Sequence, residues 1–478
     1  DWLNAGQRAA VRHVLTSPDR VMLIRGSAGA GKTTLMQEAV EAIERGGKHV
    51  FTFAPSAEAS RGVLRREGFA DAETVARLLV DTRLQERARG QVLWIDEAGL
   101  LGSRTVRHVF DLADRLDCRV VLSGDRQQHG AVERGAVLKV LEDQAGLPVA
   151  EVKEIQRQTG AYKEAVRLLA EGRTEAGFDA LDALGWVREV ADDARDRQLA
   201  AEYVAAVTAG KTALVVSPTH AEGDQVTAAV RQALHAAGRL GGDGRTVTSL
   251  TRVDLTEAQR GREDHSRPGD VLQFHQNAKG FRLGQRLVVG AGVPVPCDQA
   301  DRFEVYRPGS LTLATGDRIR VTRGGATRDG HKLETGALYT VAGFTPAGDI
   351  RLHNGWEIDR GYGHLAHGYV STSHASQGKT VDRVFVAQSS RSWPASSREQ
   401  FYVSASRGRQ QVTVYTDDKD ALRDAIRQGR EKMTGTELVT RDPHGDATRH
   451  RLRLERAAHR AHRAEGMTRE PHREAVYE

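Results

Sequence analysis

The sequence is poor in cysteine, in aromatic residues and in long apolar runs. Only two cysteines occur among its 478 residues, Cys118 and Cys297, and they lie far apart. This spacing argues against a disulfide framework and favours a reducing compartment. No apolar stretch reaches the roughly 18 residues that a membrane-spanning helix needs. We therefore expect a cytoplasmic protein without membrane insertion.

Strong charge of one sign is also missing. The chain carries 69 Lys and Arg against 64 Asp and Glu, a net charge of +5, and its pI is about 9.2. This mild basic excess is compatible with a nucleic-acid partner but does not require one. The length predicts about two to four domains. Because the first residue is Asp1 rather than Met, we expect a piece excised from a longer protein.

The apolar pattern divides the chain into α/β parts and one β-rich part. Short apolar strands alternate with helical patterns over residues 1–150, and again over 151–245 and 362–430. Such alternation predicts α/β domains with parallel sheets. Glycine becomes dense over 246–361, where short β-type runs predict an inserted β domain. Residues 431–478 predict a basic polar tail that is either helical or disordered.

One glycine-rich segment predicts a nucleoside triphosphate site. Residues 26–34 fit G-x-x-x-x-G-K-[ST], between an apolar strand pattern and a helical pattern. Backbone N–H groups of such a loop wrap phosphates at a helix N-terminus. Lys32 would reach the β- and γ-phosphates, and the Thr33 hydroxyl would bind Mg²⁺. The predicted ATP-binding residues here are Gly26, Gly29, Ala30, Gly31, Lys32, Thr33 and Thr34.

Two further strands end in polar clusters suited to the same site. The apolar run 92–95 is followed by Asp96 and Glu97, and the run 121–123 by a segment that contains Gln128. The carboxyl ends of parallel strands share one edge of a sheet, where ligands bind. Asp96 would hold the metal and Glu97 would act as general base. Gln128 would sense the γ-phosphate.

Phosphate transfer also needs cations from the second α/β unit. Arg157 and Arg407 are the candidates, because each lies in a motif-like string, Glu-Ile-Gln-Arg-Gln and Tyr-Val-Ser-Ala-Ser-Arg-Gly-Arg. Without such a motif around it, an arginine is most often a solvent-exposed surface residue. The predicted catalytic residues are thus Lys32, Glu97, Gln128, Arg157 and Arg407.

In order along residues 1–418, these strings resemble the motifs of superfamily-one DNA helicases of the RecD-like subclass. The chain is most similar to the helicase part of MobF-type conjugative relaxases, the TraI/TrwC group. That similarity rests on the strings 269–275 and 368–378 and on the Trp-Pro pair before the last motif. Further matching strings are Leu-Asn-Ala-Gly-Gln-Arg at 3–8, Phe-Ala-Pro-Ser-Ala at 53–57, Glu-Thr-Val at 73–75 and Ser-Pro-Thr-His at 217–220.

The resemblance implies two RecA-like P-loop domains, 1A over 1–150 and 2A over 151–245 and 362–430. It further implies a small pin-like insertion at about 59–90, an SH3-like insertion over 246–361, and 5′-to-3′ movement. Gln7 and Gly378 would join the ATP site. The residues expected to contact DNA are Pro55, Ser56, Thr74, His129, Thr219, His220, His374 and Ser376.

The resemblance implies ATP and Mg²⁺ as cofactors, single-stranded DNA and duplex junctions as partners, and a role in plasmid transfer with relaxosome or transfer-apparatus proteins. The chain departs from the relaxases in one respect, since it lacks the histidine cluster of their nuclease and its first tyrosine is Tyr162. Two alternatives stay open: a RecD-like repair or accessory helicase, and a non-catalytic ATP- or DNA-binding module.

Overall fold

The computed structural model describes residues 2–290 and 292–429, and its first part is an α/β domain around a six-stranded parallel sheet. The strand order is β3-β2-β4-β5-β1-β6. The central strands are buried along nearly their whole length, which is why they read as continuous apolar runs. Its strands are β1 Val21–Gly26, β2 Val50–Ala54, β3 Glu73–Thr74, β4 Val92–Ile95, β5 Arg119–Gly124 and β6 Val149–Val152. Its helices are α1 Ala5–Thr16, α2 Lys32–Arg45, α3 Val75–Val80, α4 Thr82–Ala88, α5 Ser103–Arg115 and α6 Val137–Asp143.

The segment at about 59–90, for which a small pin-like insertion is predicted, packs against the first domain. A π-helical segment, Glu58–Leu64, leads into β3, which pairs in parallel with β2. The following helices bury Leu78 and Ala88 in the core of the first domain. Because these apolar side chains pack on the domain's own sheet, the segment extends that sheet instead of projecting from it.

A second α/β domain is assembled from two separate parts of the chain. Its first part contains α7 Gly160–Ala170, α8 Thr174–Ala183, β7 Val187–Glu189, α9 Asp192–Thr208, β8 Ala213–Val216 and α10 His220–Ala236. The chain then leaves for a β-rich insertion and returns. All pairings in the resulting five-stranded sheet are parallel, so both α/β units carry the predicted parallel sheet.

The described part of the β-rich insertion contains three antiparallel sheets, of five, four and two strands. Its elements are β9 Arg245–Arg252, α11 Glu257–Arg260, β10 Val271–Phe274, β11 Arg286–Val288, β12 Phe303–Leu313, β13 Arg318–Val321, β14 Gly325–Ala326, β15 Lys332–Leu333, β16 Leu338–Phe344, β17 Ile350–Leu352, β18 Glu357–Ile358 and β19 Leu365–His367. The order β18-β17-β16-β13-β19 forms a five-stranded sheet, and β11-β10-β12-β9 forms a four-stranded one. The sequence predicted one small β domain here and did not indicate how its strands divide into sheets.

The chain completes the second parallel sheet after the insertion. The remaining elements are β20 Val370–Ser371, α12 Ser373–Ser376, β21 Val381–Ala387, α13 Arg398–Ala405, β22 Gly408–Thr416 and α14 Lys419–Ala425. The sheet order is β20-β8-β21-β22-β7. The predicted tail, 431–478, lies outside the described residues. No helix within 2–290 or 292–429 is long and apolar enough to cross a membrane.

Candidate nucleotide site and interdomain groove

The loop between β1 and α2 folds closely around Lys32. Gly29 and Gly31 adopt left-handed φ angles of 78° and 73°, which glycine tolerates without steric cost. A Cβ on Gly26 would lie 2.7 Å from Cγ of Lys32, so the backbone approaches this side chain too closely for a larger residue. The Lys32 Nζ donates to the Gly26 carbonyl at 2.7 Å. This is the local geometry of a phosphate-binding loop.

A cavity at this loop brings together most of the predicted ATP-site residues. It lies between the two α/β domains and also includes Glu67, which the sequence did not indicate. The predicted residues in its lining are Gly29, Ala30, Gly31, Lys32, Thr33, Asp96, Glu97, Gln128, Arg157, Gly378 and Arg407. Gln7 lies directly behind the loop, with Nε2 donating to the carbonyls of Ala30 and Gly31 at 3.2 Å each. Gly26 ends β1, and Thr34 lies in the first turn of α2.

The two carboxylates after β4 have different surroundings. Asp96 is held by Ser123, whose hydroxyl donates to Oδ1 at 2.7 Å. Burial, followed by the charge of Glu97, raises the pKa of Asp96 to about 6. Glu97 has a left-handed φ of 52° and accepts a bond from the Gln377 side chain of the other domain at 2.9 Å. A non-glycine residue in this conformation stores strain, a feature that clusters at functional sites.

The oxygen groups at this edge suit Mg²⁺. The Thr33 hydroxyl and the Asp96 carboxylate line the same cavity. Mg²⁺ takes one or two carboxylates, several waters and substrate phosphates, and does not need an all-protein cage. Within the described residues, no cluster of three or more His, Cys, Asp or Glu could hold a metal alone. The residues present therefore fit a metal that arrives with the nucleotide.

Gln128, in the segment after β5, has a side-chain hydrogen-bond acceptor that no other group uses in the described structure. Its Nε2 donates to Asp125 Oδ2 at 3.1 Å. Its Oε1 is buried in the cavity lining without a hydrogen-bond partner in the described structure. A buried acceptor of this kind is costly unless a ligand or water satisfies it. Gln128 is thus placed to bind a water or ligand group beside the carboxylates.

Both predicted arginines reach the cavity from the second part of the chain. Arg157 Nη1 donates to the carbonyl of Ser406 at 2.7 Å. Arg407 donates from Nε to the carbonyl of Val403 and from Nη2 to the Ser406 hydroxyl, both at 2.8 Å. Burial, with the neighbouring charge of Arg407, lowers the pKa of Arg157 to about 9; burial also lowers the pKa of Arg407. The buried Arg407 and the half-buried Arg157 line the same cavity, and together they favour an anionic ligand.

Sequence reasoning missed a tyrosine that joins the two domains. The hydroxyl of Tyr402, on α13, accepts from the backbone N–H of Ala28 in the phosphate loop at 2.8 Å. It donates to Asp125 Oδ2 at 3.0 Å. Tyr402 is fully buried. Its place in the string before Arg407 was visible in the sequence, but nothing in the string indicated the direction of the side chain.

Four of the predicted DNA contacts line a second, larger cavity of about 570 Å³ next to the first. They are His129, Thr219, His220 and His374. The rings of His129 and His374, one from each domain, stack at 3.6 Å with an interplanar angle of 12°. The Thr219 side chain caps α10, and His220 is exposed at the start of that helix.

The other predicted DNA contacts lie elsewhere. Pro55 and Ser56 follow β2, and the Thr74 side chain caps α3. These residues lie at the carboxyl ends of β2 and β3 and do not line the larger cavity. Ser376 is fully buried, and its hydroxyl donates to the carbonyl of Ser373 at 2.7 Å. It has no exposed atoms for a phosphate in this conformation.

A phosphate loop and paired carboxylates on one RecA-like domain, faced by two arginines from another, define a helicase-type nucleotide-binding protein. Comparisons with known proteins agree with this class. The family model described as an AAA domain matches residues 2–192, and that of the UvrD-like helicase C-terminal domain matches residues 367–415. The first match includes the phosphate loop and both carboxylates, and the second includes Arg407.

The similar curated proteins are conjugation proteins. The chain is 28% identical to a conjugal transfer protein TraA of Rhizobium radiobacter over 86% of its own length and 32% of that protein. It is 25% identical to the multifunctional conjugation protein TraI of Escherichia coli K12, over 92% of its length and 29% of that protein. The predicted resemblance to the TraI group is confirmed. The chain spans about a third of the length of these relatives.

A solved structure shares the fold over nearly the whole chain. It shows two coordinating Pif1 helicases at forked double-stranded DNA. The TM-score is 0.53 with 15% sequence identity, covering 94% of this chain and 98% of that one. At this identity the match establishes the architecture of two RecA-like domains and leaves residue roles to the geometry of this chain.

Proposed function

We propose that the chain is an ATP-dependent single-stranded-DNA translocase that unwinds duplex DNA. The observation that carries the proposal is the interdomain cavity. Lys32, Asp96 and Glu97 line it from one domain, and Arg157 and Arg407 from the other. A motor needs a nucleotide site whose residues come from two domains, because hydrolysis then changes the contacts between those domains.

Each residue has a role that its position supports. Lys32 binds the β- and γ-phosphates, and Thr33 and Asp96 hold Mg²⁺, which would neutralise charge on the phosphates. Glu97 accepts a proton from the attacking water, with Gln128 beside it. Arg157 and Arg407 stabilise the charge that develops in the transition state. Loss of the γ-phosphate would loosen the arginine side of the cavity and let the domains separate.

Single-stranded DNA would cross the larger cavity, which adjoins the nucleotide site. His129, His374, Thr219 and His220 line it from both domains. Relative movement of the domains would therefore shift one set of contacts along the strand. Backbone contacts of this kind are independent of base sequence. The 5′-to-3′ polarity is suggested by the family resemblance alone, since no distance in the structure bears on it.

Strand displacement with 5′-tailed and 3′-tailed duplexes tests activity and polarity together. We expect unwinding of the 5′-tailed substrate that requires ATP and Mg²⁺ and is lost in Lys32→Ala. The matched control is Lys48→Ala, which removes an exposed lysine of the same domain whose Nζ contacts the Gly90 carbonyl. If DNA-stimulated ATP hydrolysis by the wild type is no higher than that of Lys32→Ala, the result would instead favour a non-catalytic ATP- or DNA-binding module.

We further propose that this motor serves conjugative plasmid transfer, with relaxosome or transfer-apparatus proteins as partners. The support is the similarity to TraA and TraI. Plasmid transfer frequency with the Lys32→Ala allele tests it, and unchanged transfer alongside lost unwinding would favour a repair or accessory helicase. The cytoplasmic location stays a prediction.

A further inference from the structure

Glu67 is a third carboxylate in the lining of the nucleotide cavity, which Asp96 and Glu97 also line. Its Oε2 accepts a hydrogen bond from the Thr33 hydroxyl at 2.8 Å. Thr33 is the residue of the phosphate loop to which the proposed function assigns the metal. No motif contains Glu67, and neither the general-base role nor the arginine contacts involve it.

The backbone around Glu67 is fixed on both sides. Its N–H donates to the carbonyls of Val63 and Leu64 at 3.1 Å each. Its carbonyl accepts from the Gln37 side chain of α2 at 2.6 Å, so the segment is tied to the helix that begins at the phosphate loop. The carboxylate therefore reaches Thr33 from a held position and not from a free loop.

The same segment is anchored at its other end. Arg61 donates to Glu73 of β3 and to Glu334 of the β-rich insertion at 2.8–3.0 Å. Arg65 donates to Glu73 at 2.7 Å and to the carbonyl of Ala72 at 3.0 Å. These ion pairs fix the π-helical segment on the sheet edge. Glu67 is thus preorganised relative to Thr33.

The chemistry of the pair gives Glu67 two effects. A hydroxyl has one proton and two lone pairs. In this hydrogen bond the O–H of Thr33 points towards Glu67, which leaves the oxygen lone pairs for a cation. The carboxylate also adds negative charge next to the phosphate loop. That charge attracts a divalent cation and repels a polyphosphate that arrives without one.

We propose that Glu67 is a positioning residue that orients Thr33 towards Mg²⁺ and makes the site select metal-bound over metal-free nucleotide. The inference deepens the proposed function and rests on its assignment of the nucleotide site. It requires no change in the bonds that form or break during hydrolysis. Its consequence is a magnesium dependence of nucleotide binding that is set in part by Glu67.

The test measures ADP affinity with a fluorescent ADP analogue, in excess magnesium chloride and in EDTA. The readout is the ratio of the two dissociation constants, together with the magnesium concentration that gives half of the effect. The variants are Glu67→Gln, which keeps the shape and loses the charge, and Glu67→Asp, which keeps the charge. Glu41→Gln is the matched control, because Glu41 is an exposed carboxylate of the same domain that pairs with Arg45.

In Glu67→Gln we expect tighter binding in EDTA, weaker dependence on magnesium, and a ratio reduced about tenfold. Glu67→Asp retains weak binding in EDTA, and Glu41→Gln matches the wild type. An unchanged ratio in a folded Glu67→Gln protein, with a clear magnesium effect in the wild type, overturns the inference alone. Absence of ADP binding by the folded wild type, in either solution, would instead contradict the proposed nucleotide site.

Discussion

The Tyr402 hydroxyl accepts a hydrogen bond from the backbone N–H of Ala28 at 2.8 Å, across the interface between the two RecA-like domains. The same hydroxyl donates to Asp125, which in turn accepts from Gln128. One buried oxygen thus connects the phosphate loop, the polar segment after β5 and the helix that precedes Arg407. We therefore expect a nucleotide-dependent movement of the loop to be transmitted to that helix.

Replacing Tyr402 by Phe should impair ATP hydrolysis, although Tyr402 is not one of the proposed catalytic residues. The change leaves the Ala28 N–H and an Asp125 oxygen without this partner, and buried groups that lose a partner cost about 1–3 kcal/mol each. We expect DNA-stimulated ATPase activity to fall about tenfold. Steady-state kinetics over a range of ATP concentrations measures the effect.

Tyr162→Phe is the control for Tyr402→Phe. Its hydroxyl is also buried and donates to the Ala405 carbonyl at 2.6 Å, but this bond does not reach the first domain. We expect Tyr162→Phe to lower stability and leave the ATPase rate nearly unchanged. Equal loss of activity in both variants would mean that general loosening of α13, and not the bond to Ala28, explains the result.

Exchange of Glu97 for Gln should separate nucleotide binding from hydrolysis. A general base contributes about 10²–10⁴-fold to a rate, so turnover should fall by about that range while magnesium-dependent ADP binding persists. Asp96→Asn is the contrasting variant, since it removes the proposed metal contact and should weaken the magnesium dependence itself. Single-turnover hydrolysis and ADP titration provide the two readouts. Near wild-type turnover in Glu97→Gln would exclude Glu97 as the base.

The sequence predicted the parts of the nucleotide site that strand ends determine. Lys32, Asp96 and Gln128 follow buried strands, and the carboxyl ends of parallel strands meet at one edge of a sheet. Their convergence could therefore be expected from apolar runs alone. The arginines required the motif strings, because no periodicity indicates which surface of a second domain faces the first.

Other features could not be predicted, for physical reasons. The contacts of Glu67 with Thr33, within the first domain, and of Tyr402 with Ala28, across the interface, depend on side-chain direction. Side-chain direction is determined by tertiary packing and not by the local sequence pattern. The arrangement of residues 59–90 depends on whether Leu78 and Ala88 pack into a core. A short apolar pattern is equally compatible with a hairpin and with an extension of the sheet.

His220 should contribute to single-stranded-DNA affinity without affecting the fold. It is exposed at the first position of α10, in the lining of the larger cavity. Loss of one hydrogen bond of about 1 kcal/mol corresponds to a roughly fivefold larger dissociation constant for His220→Ala. His235→Ala is the matched control, because His235 is exposed in the last turn of the same helix. Fluorescence anisotropy with a labelled oligonucleotide measures both, and equal affinities would remove His220 from the DNA contacts.

The stacked histidines should make stability fall as the pH decreases. Burial, then the nearby charges of His374 and Arg407, lowers the pKa of His129 from 6.5 to about 3. Between these two values the unfolded chain binds a proton that the folded chain does not, so the free energy of unfolding rises with pH over this window.

Substitution of His129 by Gln should therefore reduce this pH dependence. Between about pH 7.5 and about pH 5.5, the wild type should lose about 1 kcal/mol more stability than the variant, because one unit of pKa corresponds to 1.36 kcal/mol. Part of the dependence should persist, since burial also lowers the pKa of His374. Urea denaturation at the two pH values gives the comparison, with His235→Ala as a control that should behave as the wild type. The same loss in the wild type and in His129→Gln would mean that His129 takes up its proton in the folded state, and that its ring is not held neutral against His374.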